Sequence, residues 1–185
     1  MAVNRTAHLF AQTADEILRH RADALAFEAA DDGVSDLLSL LIFRIAHEWY
    51  AVILDDVREI FQEYQVTTIP CVPDFILGVV NVRGEILSVT DPAQLMHIGA
   101  LEVGDAVKPP AIVLTDGDTS TAIVVDEIGD ITDVARDAIE PPVSIIDRFQ
   151  AEFVSGSVFV NGTMVGLINV ERVLEPIGGN GKHDR

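Results

Sequence analysis

Hydrophobic residues follow two different periods along this chain. In TADEILRHRADALAFEA, residues 13 to 29, Ile17, Leu18 and Leu25 recur at helical spacing, and Thr13 with Glu16 three positions later forms a capping box. The spacing predicts one amphipathic helix there. FEAADDGVSD then interrupts the pattern with acids, Gly33 and Ser35, which marks a linker. From residue 37 the texture changes to short runs of Val, Ile, Leu, Phe and Tyr broken by Asp116-Gly117 and Asn161-Gly162, the signature of strands and hairpins. Asn161-Gly162 is the strongest hairpin signal, because a type I′ turn needs positive φ at both central residues. Two short helices are expected within the strand region, in DPAQLM (91 to 96) and NVERVLE (169 to 175). The tail GGNGKHDR has nothing to bury and is expected to be disordered. The organisation expected is an extension over 1–36, a strand domain over 37–176 and a tail over 177–185.

The strand region repeats itself. YAVILDDVREI (50 to 60) recurs as TAIVVDEIGDI (121 to 131), and GVVNVRGEILSVTDPAQLM lies over GSVFVNGTMVGLINVERVL. In that overlay Gly78 meets Gly156, Arg83-Gly84 meets Asn161-Gly162, and Asp91 meets Asn169. Two sets of about five short strands suit two small barrels, since closure removes edges that would otherwise pair with other chains. The fold class expected is therefore all-β: two similar five-stranded SH3-like barrels around a shared core, with an N-terminal amphipathic helix.

Composition narrows the function more by exclusion than by motif. With 49% apolar residues, the 185-residue chain can build a sizeable core. Its formal charge of −18 repels phosphate backbones and anionic headgroups, so neither nucleic acid nor a membrane surface is expected as a partner. No stretch reads as a signal peptide or a membrane span, and the single cysteine allows no internal disulfide, so a cytoplasmic location is expected. Cys71 is expected to be a small buried hydrophobe. The histidines His8, His20, His47, His97 and His183 lack metal-ligand spacing, and no nucleophile elbow, phosphate loop or dinucleotide fingerprint is present. No metal or cofactor is expected. Asp31-Asp32-Gly33 lacks the other acids of a calcium loop and reads as a turn. The acid pairs Asp55-Asp56 and Asp126-Glu127 fall at strand ends and read as solvated corners, with a small β-barrel hydrolase using Asp55 and Asp56 as the rival from another class.

FRIAHEWYAVILDDVREI, IPCVPDFILGVVNVRGEILSVTD, TAIVVDEIGDI followed by IEPPV, and LINVERVL resemble, in order and spacing, the CheW-like coupling domain of bacterial chemotaxis. The resemblance spans roughly residues 40 to 175. It implies two packed five-stranded barrels and an adaptor, not an enzyme, with no cofactor. The partners it implies are chemoreceptor cytoplasmic tips and the regulatory domain of a CheA-type histidine kinase. Matched by position, Val57, Glu59 and Ile60 of VREI, with Val80, Asn81, Val82, Arg83 and Gly84, are implied as the receptor-facing groove. The kinase contact is implied only at barrel ends, on apolar residues flanking the hairpins. Three positions depart from the family pattern: Ala46-His47 in place of a glycine turn, Ser88 in place of proline and Pro92 in place of leucine. They mark a divergent member, with a competitor or a scaffold of a non-flagellar motility system as the alternative role. Arg83 and Glu59 are expected to pair at the edge of the groove.

Overall fold

The computed structural model describes residues 36–99, 108–142 and 150–176. The helix expected at 13–29 and the tail from 177 lie outside the described residues. Among these, the first five strands are β1 (Leu37–Ile45), β2 (Glu48–Ile53), β3 (Val57–Phe61), β4 (Ile76–Val82) and β5 (Glu85–Thr90). A short helix, α1 (Pro92–Leu95), follows them. The second five are β6 (Ala111–Asp116), β7 (Thr119–Val124), β8 (Glu127–Ala135), β9 (Val154–Val160) and β10 (Thr163–Ile168). Helix α2 (Gln150–Phe153) precedes β9 and α3 (Val170–Leu174) follows β10. Both short helices expected within the strand region are present. Asp91 caps α1 by accepting from the Ala93 and Gln94 amides, and Asn169 caps α3 by accepting from that of Arg172.

The strands form two five-stranded sheets, in the orders β3-β6-β7-β5-β4 and β8-β1-β2-β10-β9. The first, the central barrel, uses strands from the middle of the chain, whereas the second, the terminal barrel, joins its two ends. The barrels are therefore not the two sequence repeats. Each repeat gives its leading hairpin to one barrel and its remaining three strands to the other. The recurring phrase that ends in VREI and in IGDI is where the chain crosses between barrels, from β2 to β3 and from β7 to β8.

The correspondence extends to irregularities. Register shifts between Val57 and Glu59 opposite β6, and β8 carries its shift opposite the Leu41–Phe43 step, around Gly129 and Asp130. Leu77 and Ser155 are the extra residues where β4 and β9 shift against β5 and β10. The next residues, Gly78 and Gly156, stand beside single bridges, Thr67 to Val79 and Glu140 to Ser157, which close each barrel at its open edge. At Gly78, φ is +144° and an added Cβ would overlap the Thr67 carbonyl. The hairpin tips also agree: Arg83 and Gly84 have φ of 52° and 93°, Asn161 and Gly162 of 51° and 80°. Both tips thus meet the positive-φ requirement that Asn161-Gly162 announces in sequence.

Apolar residues collect in three clusters. One lies inside each barrel, built on Leu40, Ile42, Val158 and Leu167 in the terminal barrel and on Val80, Val89, Val113 and Ala122 in the central one. The third holds the barrels together and includes Leu41, Phe43, Ile45, Ile112, Leu114 and α3 residues Val173 and Leu174. β1 therefore buries Leu40 and Ile42 inward and Leu41, Phe43 and Ile45 against the other barrel, which is why it reads as an unbroken apolar run. Cys71 corrects one expectation, because it is exposed. It lies between Pro70 and Pro73 with φ of +60°, and a segment with two missing donors crosses the surface instead of joining a ladder.

Candidate partner-binding site

The structure brings VREI and NVRG together at the opening between β3 and β4, the two edge strands of the central barrel. The bulge in β3 sets this up, since an extra residue between Val57 and Glu59 breaks the alternation that would send Arg58 and Glu59 to opposite faces. Arg83 Nε lies 3.2 Å from Glu59 Oε2, and Arg58 reaches Glu85 at 2.8 Å and Glu59 at 3.9 Å. Four alternating charges thus span the gap that backbone pairing leaves open. Asn81 Oδ1 accepts from the Gly84 amide at 2.9 Å, which fixes the turn that carries Arg83. Gly84 has open space around it, so its role in the turn is conformational.

The eight residues implied by the resemblance divide by burial. Val57, Val80 and Val82 are buried in the apolar clusters and present no surface to a partner. Glu59 and Ile60 are half-buried, whereas Asn81, Arg83 and Gly84 are exposed. The valines position the site and the other five form its accessible rim. Sequence reasoning missed Arg58 and Glu85, although Arg58 lies within VREI and Glu85 directly follows NVRG; the signal was their opposite charge on two strands that must meet if the barrel closes.

The acid corners behave differently from each other. Asp126 corrects the solvated-corner expectation: its Oδ2 accepts from the Ala46 amide, while Arg44 donates to the Ala46 carbonyl and pairs with Glu127 at 3.2 Å. This acid corner braces the β1–β2 turn, where Ala46 has φ of +52°. At the other corner, burial first and then Asp116 and Asp55 raise the Asp56 carboxyl above the ordinary aspartate value. A cavity of about 690 Å³ lies elsewhere, lined by Asp74, Phe75, Gln94, Leu95, Glu152 and Phe153 among others. Close to α2, Tyr50 and Gln150 both donate to Glu48, and burial pushes the Tyr50 hydroxyl upward. No group of three or more metal-ligating side chains occurs among the described residues, and no helix there is long and apolar enough to cross a membrane.

Comparison with known proteins gives one result throughout. The chain is 28% identical to the chemotaxis protein CheW of Treponema pallidum over 136 residues, covering 72% of this chain and 80% of that protein. It is 30% identical to the chemotaxis protein CheW of Klebsiella aerogenes, with the same coverage of 72% and 80%. Protein FrzA of Myxococcus xanthus is 26% identical over 72% of this chain and 82% of its own length. Among solved structures, the scaffolding protein TtCheW from Thermoanaerobacter tengcongensis superposes with a TM-score of 0.66 at 28% identity, covering 80% of this chain and 97% of that one. The profile of the CheW-like domain matches residues 39–177, and the chain belongs to that family.

Proposed function

We propose that the chain is a cytoplasmic adaptor that couples chemoreceptor tips to the regulatory domain of a CheA-type histidine kinase, without turnover of its own. The observation that carries this reading is the Arg83–Glu59 pair, which assembles the VREI and NVRG motifs into one rim, with Glu59 and Ile60 half-buried and Asn81, Arg83 and Gly84 exposed. A planar guanidinium held at the lip of a half-apolar edge suits a helical partner with an acceptor beside apolar side chains. The kinase domain is assigned to a barrel end, where Ile86 is an exposed apolar residue next to the Arg83-Gly84 turn. Co-sedimentation with a receptor fragment, with and without the kinase, tests the reading directly. Recruitment of kinase only when receptor and adaptor are both present supports it, and failure to bind either partner overturns it.

The departures at Ala46-His47, Ser88 and Pro92, with the similarity to FrzA, favour a second reading in which the chain serves a different receptor cluster or competes for receptor tips. Kinase activity in the same mixture separates the two. A coupler raises it in proportion to adaptor added, whereas a competitor lowers it.

A further inference from the structure

The two hairpin tips share a backbone shape but not a hydrogen bond. In the central barrel the Gly84 amide, which the two-residue loop leaves outside the ladder, donates to Asn81 Oδ1 at 2.9 Å. The repeat puts Phe159 in the place of Asn81, paired with Met164 as Asn81 is with Ile86. Phe159 offers the Gly162 amide no side-chain oxygen. Neither that amide nor the Asn161 carboxamide has a hydrogen-bond partner among the described residues. Both residues are exposed, and a Cβ on Gly162 would meet nothing within 4 Å. The other described asparagines are tied. Asn81 Oδ1 holds the Gly84 amide and Asn169 Oδ1 that of Arg172, and each precedes a valine, whose branched side chain crowds the following amide nitrogen.

We infer that Asn161 is a site of spontaneous deamidation, made reactive by the amide that Phe159 leaves free. The Gly162 amide nitrogen loses its proton and adds to Asn161 Cγ. The bond from Cγ to the side-chain nitrogen breaks, and ammonia leaves with the proton, closing a five-membered succinimide. Water then opens the ring. Cleavage between nitrogen and Cγ gives aspartate, and cleavage between nitrogen and the Asn161 backbone carbonyl carbon gives isoaspartate. No electrons are gained or lost, and water is the one co-reactant. Attack requires the Asn161 ψ to leave its turn value of about +30°. Only the Val160–Thr163 pair flanks the tip, so this opening breaks no more than the last rung of the hairpin. The product puts a carboxylate on a hairpin that carries no charged side chain from residue 154 to 168. Any contact that buries the exposed Phe159 and Met164 must then desolvate a charge beside them. Isoaspartate also adds a methylene to the backbone of a two-residue loop, which no longer fits the rung below it.

Peptide mapping of the folded full chain, aged in mildly alkaline buffer, reads the reaction. Conversion at Asn161 to a mixture of aspartate and isoaspartate is expected, with Asn81 and Asn169 unchanged. Phe159→Asn returns an acceptor to the position that holds Gly84 in the other tip, and is expected to slow the conversion several-fold. Phe159 is 68% exposed, so the variant keeps its fold, which a melting curve verifies. An Asn161 that persists in the folded chain while the guanidinium-unfolded chain converts overturns the inference. Equal rates in the parent and in Phe159→Asn overturn it as well, because the free amide would then not be the cause.

Discussion

Arg83 and Glu59 form an ion pair at 3.2 Å between the tip of the β4–β5 hairpin and edge strand β3, with the arginine 84% exposed and the glutamate 20%. The two side chains therefore stand in different surroundings. Glu59 is held at the mouth of the barrel, and Arg83 lies over it with most of its guanidinium in solvent. Such a pair contributes little to folding but fixes where a fork of donors is presented.

Arg83→Ala is accordingly expected to change stability by no more than about 1 kcal/mol while weakening receptor binding by roughly 2 kcal/mol, about thirtyfold. Calorimetry and co-sedimentation on the same variant make the comparison. A collapsed melting curve for Arg83→Ala would show that the pair holds the barrel edge together instead.

The exchange of strands between repeats makes a sharper prediction about folding. Neither repeat contains a complete sheet, since the partners of β1 and β2 include β8 and β10, and those of β6 and β7 include β3 and β5. Separate fragments 37–99 and 108–176 should each remain unfolded, while a mixture of the two assembles. Amide dispersion in the separate and mixed samples decides it. A fragment that folds alone would contradict the shared core of Leu41, Phe43, Ile112 and Leu114.

How much of this was legible in sequence depended on the kind of signal. Turn chemistry carried far: Asn161-Gly162 and the glycine equivalence of Gly78 with Gly156 are local requirements written in single residues, whereas Asp91 and Asn169 were matched between the repeats without being read as the caps they are. Pairing between repeats was not legible, because strands of similar composition do not state which sheet they join. The Arg83–Glu59 contact was expected from complementary charge in two motifs, whereas the Asp126 brace was missed. An acid after an apolar strand looks the same whether it meets water or the amide of a turn eighty residues earlier.

Gly78 and Gly84 separate two uses of glycine. An alanine at 78 would overlap the Thr67 carbonyl and lie 2.8 Å from Val66 Cγ1, at a backbone angle side chains rarely adopt. At 84 it would meet nothing within 4 Å and bear only the conformational penalty. Gly78→Ala is expected to cost upwards of about 2 kcal/mol and Gly84→Ala about 1 kcal/mol. Urea midpoints at a common m-value measure both, and equal costs would mean that the Thr67 bridge yields easily.

The acid corner at Asp55 and Asp56 gives a prediction whose sign follows from linkage. Burial, Asp116 and Asp55 raise the folded-state carboxyl of Asp56 above its unfolded value of about 3.9, so the ionised form is the one the fold disfavours. Above the folded pKa the group is charged in both states and the penalty is present in full. As the pH falls through that pKa the folded state takes up its proton first and the penalty fades, and below the unfolded value it is gone. Asp56→Asn should therefore raise the melting temperature at pH 7 and lose its advantage toward pH 4. Because the group is more than a third exposed, solvent screening keeps the gain below about 1 kcal/mol. Melting curves of the two proteins across that range supply the test. An advantage that instead grows on acidification would mean that Asp56 holds a favourable partner in its ionised form, and the repulsion assigned to Asp55 and Asp116 would be wrong.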